Sequence, residues 1–307
     1  MTTATLGRGP MTDLGSAMET NAAAISGILD RILALDDVPE ARIVEAMRYG
    51  TLGGGKRIRP FLVTQSAALF NVDSTRALRA AAAVEMIHCY SLVHDDLPAM
   101  DDDDLRRGQP TCHKKYDEAT AILAGDALLT KAFEVVADEA THADPTVRVQ
   151  LVTALAQASG AAGMVGGQML DLLAEGEDGS LDMPQITRLQ RMKTGALISV
   201  SCQAGAILGK ASDQARHALE AYAHDLGLAF QIADDLLDVE GTPEDVGKAT
   251  GKDADAGKAT FVSLLGVERA RSQAQMLADQ AAQHLDMFGE NATSLKKLAA
   301  FVVERKT

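Results

Sequence analysis

The spacing of apolar residues follows the period of an α-helix along most of the chain. In residues 39–52, for example, Ile43, Ala46 and Met47 recur at the three- and four-residue intervals that place side chains on one helix face. No stretch alternates β-branched and polar residues as a half-buried strand would, and no long internal repeat is present. The pattern therefore predicts helices and no extensive sheet.

Helix starts and breaks divide this pattern into elements. An aspartate N-cap followed by proline in the first turn predicts one helix from residue 144 through the 150s and another over residues 182–208. The periodicity predicts a third helix over residues 213–239. Glycine and proline interrupt residues 1–15, which we expect to form a loose leader, whereas residues 16–307 contain no linker and are predicted to form one domain.

The composition favours an all-α fold. The 307-residue chain is 47% hydrophobic, but it is only 4% aromatic and has no tryptophan. Alanine and leucine therefore carry most of the apolar content, which favours packed helices over a sheet core. The predicted architecture is a single-domain helical bundle whose core can hold a site between facing helices.

Charge and cysteine content narrow the partners and the compartment. The formal net charge of −14 counts against nucleic acid and against an anionic membrane surface as partners. Cys89, Cys112 and Cys202 show no CxxC spacing, so we interpret them as reduced thiols. No signal-peptide pattern is present, and no apolar run reaches the roughly 18 residues of a membrane span. We therefore expect a cytoplasmic protein without membrane insertion.

The densest functional signal is the group of six aspartates in residues 95–104. Asp95 and Asp96 close an apolar helix that Pro98 terminates, and the turn that follows is predicted to bring Asp101 back toward Asp95. Such close carboxylates repel one another and are disfavoured at a helix C-terminus unless a cation offsets their charge. A solvated acidic loop is the alternative interpretation. Magnesium, a hard ion that binds carboxylates and phosphates, fits best.

A second acidic group occurs in the sequence FQIADDLLD. Asp234 and Asp238 are four residues apart and share one face of an unbroken helix. Because the flanking residues are apolar, both carboxylates are predicted to face the protein interior, where they need a cation as a partner.

Basic and glycine-rich segments accompany the two acidic groups. GGGKRIRP approaches a P-loop but lacks its Ser/Thr, so we interpret it as a bend that offers backbone N–H groups and two cationic anion ligands. A glycine inside a predicted helix, Gly195, indicates a close backbone approach. His88 shares a helix face with Asp95 and is predicted to point toward the acidic end of that helix. The basic candidates are Lys56, Arg59, Arg106, Arg107, Lys193, Lys248 and Lys258, and the weaker polar candidates are Gln168 and Asp171.

Taken in order, these motifs resemble those of the trans-prenyl diphosphate synthases, most closely the bacterial farnesyl diphosphate synthases. GGGKRIRP, DDLPAMD followed by RRG, GGQMLD, KTG, FQIADDLLD and GKATF occur in the family's order from about Gly53 to Leu265. The resemblance implies a helical bundle around a central active-site cavity, working as a homodimer on isoprenoid diphosphates. It implies Mg²⁺ as the cofactor, as three ions, with Mn²⁺ able to replace it.

The resemblance also implies a role for each matching residue. The magnesium ligands are Asp95, Asp101 and Asp234, with Asp96, Asp171 and Asp238 supporting them. The allylic diphosphate is held by Arg106, Lys193, Thr194, Gln231, Lys248 and Lys258. Isopentenyl diphosphate is held by Lys56, Arg59, His88 and Arg107. The tail, ERKT, departs from the basic Arg-x-Lys pattern of relatives, so Arg305 and Lys306 are not predicted to close the site.

Tyr90 carries the prediction of product length. It lies five residues before Asp95, roughly 7.5 Å along the helix axis, where its ring can form a floor for the growing chain. Ser91 is too small to do so, and an aromatic residue here resembles the farnesyl type. The predicted reaction ionises an allylic diphosphate, adds isopentenyl diphosphate and eliminates a proton, giving farnesyl diphosphate.

Other functions predict different features. A geranylgeranyl diphosphate synthase shares every motif and differs only in product length. A terpene cyclase or head-to-head synthase does not need GGGKRIRP, and a non-catalytic regulatory subunit is expected to lose aspartates that this chain retains. A divalent-cation buffer has no use for the interleaved lysines and arginines.

Overall fold

Helices make up most of the chain that the computed structural model describes, which comprises residues 14–35, 37–176, 181–240 and 260–305. In chain order the helices are α1 (Leu14–Ile32), α2 (Ala41–Leu52), α3 (Ile58–Ala68), α4 (Ser74–Asp95), α5 (Cys112–Lys115), α6 (Glu118–Ala137), α7 (Pro145–Ser159), α8 (Met164–Gly176), α9 (Met183–Gln190), α10 (Ala196–Leu208), α11 (Asp213–Glu240), α12 (Phe261–Leu265), α13 (Val267–His284) and α14 (Thr293–Glu304). A π-helical turn, Arg191–Gly195, joins α9 to α10, and a 3₁₀ segment, Asp286–Ala292, precedes α14. The all-α prediction is confirmed.

Local sequence signals explain where several helices begin. The Asp144 carboxylate accepts a hydrogen bond from the N–H of Thr146, and Asp182 forms a reciprocal capping box with Gln185. The helix predicted over residues 182–208 is divided by the π-helical turn, which the sequence did not indicate. Helix α1 begins at Leu14, two residues before the domain boundary drawn at residue 16, and residues 1–13 of the predicted leader lie outside the described residues.

A short antiparallel pair of strands follows α4. Strand β1 (Leu105–Arg106) pairs with β2 (Gln109–Pro110) around a turn at Arg107 and Gly108, whose φ angles are 53° and 74°. A two-residue turn with both φ angles positive matches the twist of a hairpin. This small element, absent from the prediction, places Arg106 and Arg107 beside the end of α4.

Helix α4 lies at the centre of the bundle. It packs against α1, α2, α3, α6 and α10, and most of its side chains are buried. Alanines between Ala80 and Ala83 allow the neighbouring helices to approach it closely. The C-terminal end of this central helix, at Asp95, is where the predicted site begins. Within the described ranges, no helix is both long and apolar enough to cross a membrane.

Candidate active site

The end of α4 and the turn after it gather the first aspartate group. Helix α4 ends at Asp95, and the backbone N–H of Asp101 donates to the carbonyl of Asp95 over 2.8 Å. The predicted return of the chain toward Asp95 is therefore confirmed. The pKa of Asp95 is raised to about 6, mainly by burial and also by the carboxylates of Asp101 and Asp96, while the positive charges of Lys193 and Arg106 oppose the shift.

Asp96 is held by an arginine of the hairpin. Its carboxylate, almost fully buried, accepts from Arg106 Nε at 2.8 and 2.9 Å and from Nη2 at 2.5 Å. Burial raises the pKa of Asp96, whereas the hydrogen bonds from Arg106 oppose that shift. In this conformation Asp96 positions Arg106, which also lowers the pKa of the neighbouring Asp95.

The π-helical turn presents Lys193 to α8. Lys193 Nζ lies 2.5 Å from Asp171 Oδ2. The close backbone approach predicted at Gly195 is present, because a Cβ atom at Gly227 of α11 would lie 3.4 Å from Gly195 Cα. A still closer approach, which the sequence did not indicate, occurs at Gly167, where a Cβ atom would lie 2.5 Å from Lys193 Cα. At Gly195 the nearest atom to such a Cβ is Gln190 O, in ordinary contact at 3.5 Å. The signal in GGQMLD was therefore the glycine before Gln168, which allows α8 to pack against the turn.

The glycine-rich bend before α3 receives the second arginine of the hairpin. Gly54 and Gly55 have φ angles of 85° and 113°, which favour glycine, and Arg107 donates to the carbonyl of Gly54. A Cβ at Gly55 would lie 2.7 Å from Arg107 Cζ, so the missing side chain makes room for the guanidinium. The bend and the hairpin thus form one basic surface.

A buried ion pair fixes this bend, and the sequence analysis did not identify it. Arg57 has a φ of 51° and donates to Glu85 of α4 and to the carbonyl of Thr51. The side chains of Arg57 and Glu85 are 1% and 2% exposed. Because breaking such a buried pair leaves an uncompensated charge, it locks the bend against α4.

His88 lies among arginines, one of which, Arg106, pairs with Asp96 at the acidic end of α4. Its Nε2 lies 3.5 Å from Arg59 Nη1, and because a guanidinium only donates, Nε2 serves as the acceptor. Burial and the positive charges of Arg59, Arg107 and Arg106 hold the pKa of His88 well below its usual range. The imidazole is therefore neutral near pH 7 and adds hydrogen-bonding capacity without charge.

Asp234 and Asp238 of the second aspartate group are less buried than the prediction that they face the protein interior requires. Asp234 is exposed and Asp238 is half-buried, whereas Asp235 is buried and accepts from the N–H of Phe261 at 2.8 Å. Adjacent helical residues are about 100° apart, so α11 turns Asp235, and not Asp234, toward the core. The apolar flanks could not distinguish these two faces.

Arg305 lies at this second group, although the departure of the tail from the family pattern gave no prediction that it closes the site. Its guanidinium pairs with Asp234 and stacks 4.0 Å from the ring centroid of Phe230. Burial and the positive charge of Arg305 lower the pKa of Lys56, and Asp234 opposes that effect. The C-terminus, the bend before α3 and α11 therefore meet at one place. The sequence signal was the pair of basic residues in ERKT.

The remaining candidates are distributed over the same region. Tyr90 is 5% exposed, and burial together with the charge of Asp95 raises its pKa to about 12. Thr194 belongs to the π-helical turn, and the half-buried Gln231 precedes Asp234 on α11. Lys248, Lys258 and Lys306 lie outside the described residues.

Two buried donors point to ligands in this region. Within the described part of the chain, Arg59 Nε and Gln168 Nε2 are buried without a hydrogen-bond partner. Such groups are uncommon in folded proteins and are often satisfied by a bound species. Arg59 lies in the first turn of α3, directly after the bend, and Gln168 lies on α8 beside the π-helical turn, so a buried donor without a partner occurs at each basic set.

The carboxylates of the two aspartate groups are suitable ligands for a hard divalent cation. Their oxygens are preferred Mg²⁺ ligands, and the raised pKa of Asp95 reflects negative charges held close together in a desolvated place. Among residues with described positions, no three His, Cys, Asp or Glu side chains form a group that could hold a metal ion. Asp171, Asp96 and Asp234 are instead paired with basic side chains, which a cation would have to displace.

Comparisons with known proteins agree on the family. The polyprenyl synthetase family model matches residues 40–300. The chain is 46% identical over 300 residues to the farnesyl diphosphate synthase of Escherichia coli (strain K12), covering 95% of this chain and 99% of that protein. It is 41% identical over 298 residues to geranylgeranyl pyrophosphate synthase 11 (chloroplastic) of Arabidopsis thaliana, covering 95% of this chain and 82% of that protein.

A solved structure of a related synthase has the same fold. The apo crystal structure of an FPP/GFPP synthase from Zymomonas mobilis superposes with a TM-score of 0.88 at 52% sequence identity, covering 94% of this chain and 98% of that one. The matches extend over most of both proteins in sequence and in structure. The chain belongs to the polyprenyl synthetase family.

Proposed function

We propose that this prenyltransferase condenses isopentenyl diphosphate head to tail with dimethylallyl and geranyl diphosphates, releasing diphosphate and farnesyl diphosphate. The observation that carries the proposal is the presence of two separate basic sets near the end of α4, each with a buried donor that lacks a partner. Arg106 affects the pKa of both Asp95 and His88, so it lies between the two sets. Two anion sites beside shared carboxylates suit two diphosphates.

The residues of each set have distinct proposed roles. Around the π-helical turn, Lys193, Thr194 and Gln231 bind the allylic diphosphate, with Arg106, Lys248 and Lys258 completing that site. Around the glycine-rich bend, Lys56, Arg59, His88 and Arg107 bind isopentenyl diphosphate. The neutral His88 then accepts a hydrogen bond from Arg59 and donates one through its other ring nitrogen.

Magnesium is the proposed cofactor. Asp95, Asp101 and Asp234 would hold it, with Asp96, Asp171 and Asp238 supporting them, and three ions are proposed, with Mn²⁺ able to replace them. When bound, the cation supplies positive charge that stabilises the departing diphosphate. The protein's cationic side chains add to that stabilisation, and its apolar helix faces exclude water from the reacting allylic group. No side-chain base is evident in the motifs, so the released diphosphate is the proposed proton acceptor.

Tyr90 supports the C15 product. Relatives at similar identity carry names with different products, so family membership leaves the length open. The buried ring of Tyr90 lies one to two helical turns below Asp95, within its electrostatic range. A prenyl chain that extends from a diphosphate at Asp95 along α4 would end on that ring.

The assembly and compartment are also proposals. We propose a homodimer, as the family resemblance implies, in the cytoplasm, as the cysteine content and the absence of a signal pattern predict. The molecular mass in solution, measured by light scattering, distinguishes a dimer from a monomer.

Product analysis tests the proposed function. The purified full chain is incubated with Mg²⁺, isopentenyl diphosphate and either allylic substrate, and the products are sized by chromatography. We expect mainly C15 product and none in excess chelator. Mainly C20 product would favour a geranylgeranyl diphosphate synthase, and no product would favour a regulatory subunit.

A substitution tests the proposed floor. Tyr90→Ala should shift the main product to C20 or longer, because the chain can pass the missing ring. Tyr116→Ala removes a different tyrosine ring, which is half-buried at the end of α5, and should leave the product at C15. If the Tyr90→Ala products stay at C15, Tyr90 is not the floor.

A further inference from the structure

His94 lies between Tyr90 and Asp95 on α4 and contacts the tyrosine ring. It follows Tyr90 by four residues, so the two side chains share one helix face. Their rings meet edge to face, with centroids 5.8 Å apart and an interplanar angle of 78°. The imidazole therefore covers one side of the ring that is proposed to limit chain length.

Helix α6 holds the imidazole in place. His94 Nε2 lies 3.0 Å from the carbonyl oxygen of Ile122, and because a carbonyl only accepts, Nε2 carries the hydrogen. Three residues later, a Cβ at Gly125 would collide with Nε2, Cδ2 and Cε1 of the same ring. The ring thus occupies the space that the missing side chain of Gly125 leaves in α6.

We infer that His94 is a positioning residue for product length, which keeps the Tyr90 ring across the path of the growing chain. The inference rests on the proposed function, because Tyr90 limits chain length only if a prenyl chain grows toward it. Gly125 and Ile122 fix the imidazole, and the imidazole restricts the tyrosine rotamer. The contact between α4 and α6 then determines product length, because it holds the Tyr90 ring that the growing prenyl chain meets.

Ring contacts of this kind predict a measurable shift in product ratio. His94→Ala should raise the C20-to-C15 ratio by about 2- to 12-fold, the change in rotamer population that an edge-to-face pair can maintain. His94→Gln can still donate to Ile122 but lacks the ring, so it should lengthen the product similarly. His94→Phe keeps a ring against Tyr90 and should remain mainly a C15 enzyme. The ratio is independent of total turnover, so a general loss of activity beside Asp95 does not mimic the effect.

Double variants show whether His94 acts through Tyr90. In a Tyr90→Ala background, His94→Ala should cause no further lengthening, because its target is gone. Gly125→Ala should lengthen the product in the wild type but cause no further lengthening in a His94→Ala background, because the three atoms nearest the added methyl group all belong to the His94 ring. The control is His142→Ala, which removes another hydrogen-bonded imidazole, remote from Tyr90, and should leave the product at C15.

The possible outcomes separate this inference from the proposed function. If Tyr90→Ala lengthens the product while His94→Ala and His94→Gln do not, the inference fails and the proposed function stands. Additive lengthening in the Tyr90→Ala, His94→Ala double variant, or long products from His94→Phe, also overturns the role of the ring. If Tyr90→Ala itself leaves the product unchanged, both the floor and the role of His94 fail.

Discussion

Three aspartates of residues 95–104 differ in pKa and in their pairing because their surroundings in the folded protein differ. Asp95 lies in a desolvated place with other carboxylates nearby, whereas Asp96, one residue later, is held by two atoms of Arg106. Asp104 is exposed, and its ion pair with Lys114 lowers its pKa. Of these three aspartates, only Asp95 lies where uncompensated negative charge favours a bound cation.

Replacement of Asp95 should therefore stabilise the metal-free protein while it abolishes activity. The pKa of Asp95, about 6 in the folded protein, is raised above its unfolded value, so the folded state binds more protons between about pH 4 and pH 6. The free energy of unfolding then falls as the pH rises through that window. In chelator at pH 7, Asp95→Asn should be more stable by about 1–3 kcal/mol, and the gain should vanish below about pH 4.

Denaturant titrations across this pH range measure the effect. Asp104→Asn is the control, because its lowered pKa has the opposite sign and predicts no gain at neutral pH. If Asp95→Asn raised the free energy of unfolding by the same amount at every pH, the electrostatic origin of the stabilisation would be contradicted. Addition of Mg²⁺ should reduce the gain, because only the wild type keeps the carboxylate that binds it.

The two basic sets should respond to different substrates. Arg59→Ala should raise the KM for isopentenyl diphosphate about 10- to 150-fold, the effect of losing one charge-assisted contact. Lys193→Ala should instead weaken the binding of the allylic substrate and lower kcat. Steady-state kinetics with each substrate varied in turn measure both effects. An Arg59→Ala enzyme impaired only toward the allylic substrate would reverse the assignment.

Helices and turns position these side chains through backbone features. The bend before α3 uses glycines and the positive φ of Arg57, and the buried pair between Arg57 and Glu85 ties it to α4. On the opposite side, the π-helical turn places Lys193 against α8, where Gly167 has no side chain. Both elements expose basic groups on a rigid backbone, as a preorganised anion site requires.

Two glycine-to-alanine changes distinguish packing from flexibility at the π-helical turn. Gly167→Ala should destabilise the fold by about 1–3 kcal/mol and lower activity, because its methyl group meets the Lys193 backbone, which cannot rotate away. Gly195→Ala meets only Gln190 O at ordinary distance, so it should be neutral or stabilise by up to about 1 kcal/mol. Thermal unfolding compares them, and equal destabilisation would disprove the assigned close contact.

The fold as a whole brings the C-terminus to α11. Helix α14 carries Arg305 to Asp234, which is 71 residues earlier in the chain, and to the ring of Phe230. Lys56 from the bend before α3 lies within electrostatic range of the same pair. Three distant segments thus meet beside one proposed metal ligand.

Arg305, the residue directly after α14, should contribute more to the free energy of unfolding than an exposed ion pair made by a lysine of that helix. Arg305→Ala should cost about 1–2 kcal/mol, because its side chain is 5% exposed and stacks on Phe230. Lys296→Ala removes a more exposed pair with Asp286 on α14 and should cost less than about 1 kcal/mol. Urea titrations test the difference, and equal losses would place Arg305 among ordinary surface charges.

Features that depend on neighbours in the chain were predictable. The helical period, the caps at Asp144 and Asp182, the end of α4 at Asp95 and the return of Asp101 depend on interactions within a few residues, so the local sequence determines them. The order of the motifs likewise indicated the family, because each motif is a local string.

Features that depend on packing were decided by the tertiary structure. The sequence could not show that Asp235, rather than Asp234, turns inward, because apolar residues flank both. It indicated the close approach at Gly195 but not the closer one at Gly167, because each glycine is equally permissive until a partner helix is present. The contacts of Arg305 with Asp234 and of His94 with Gly125 join residues distant in sequence, and only the packing of whole helices brings such side chains together.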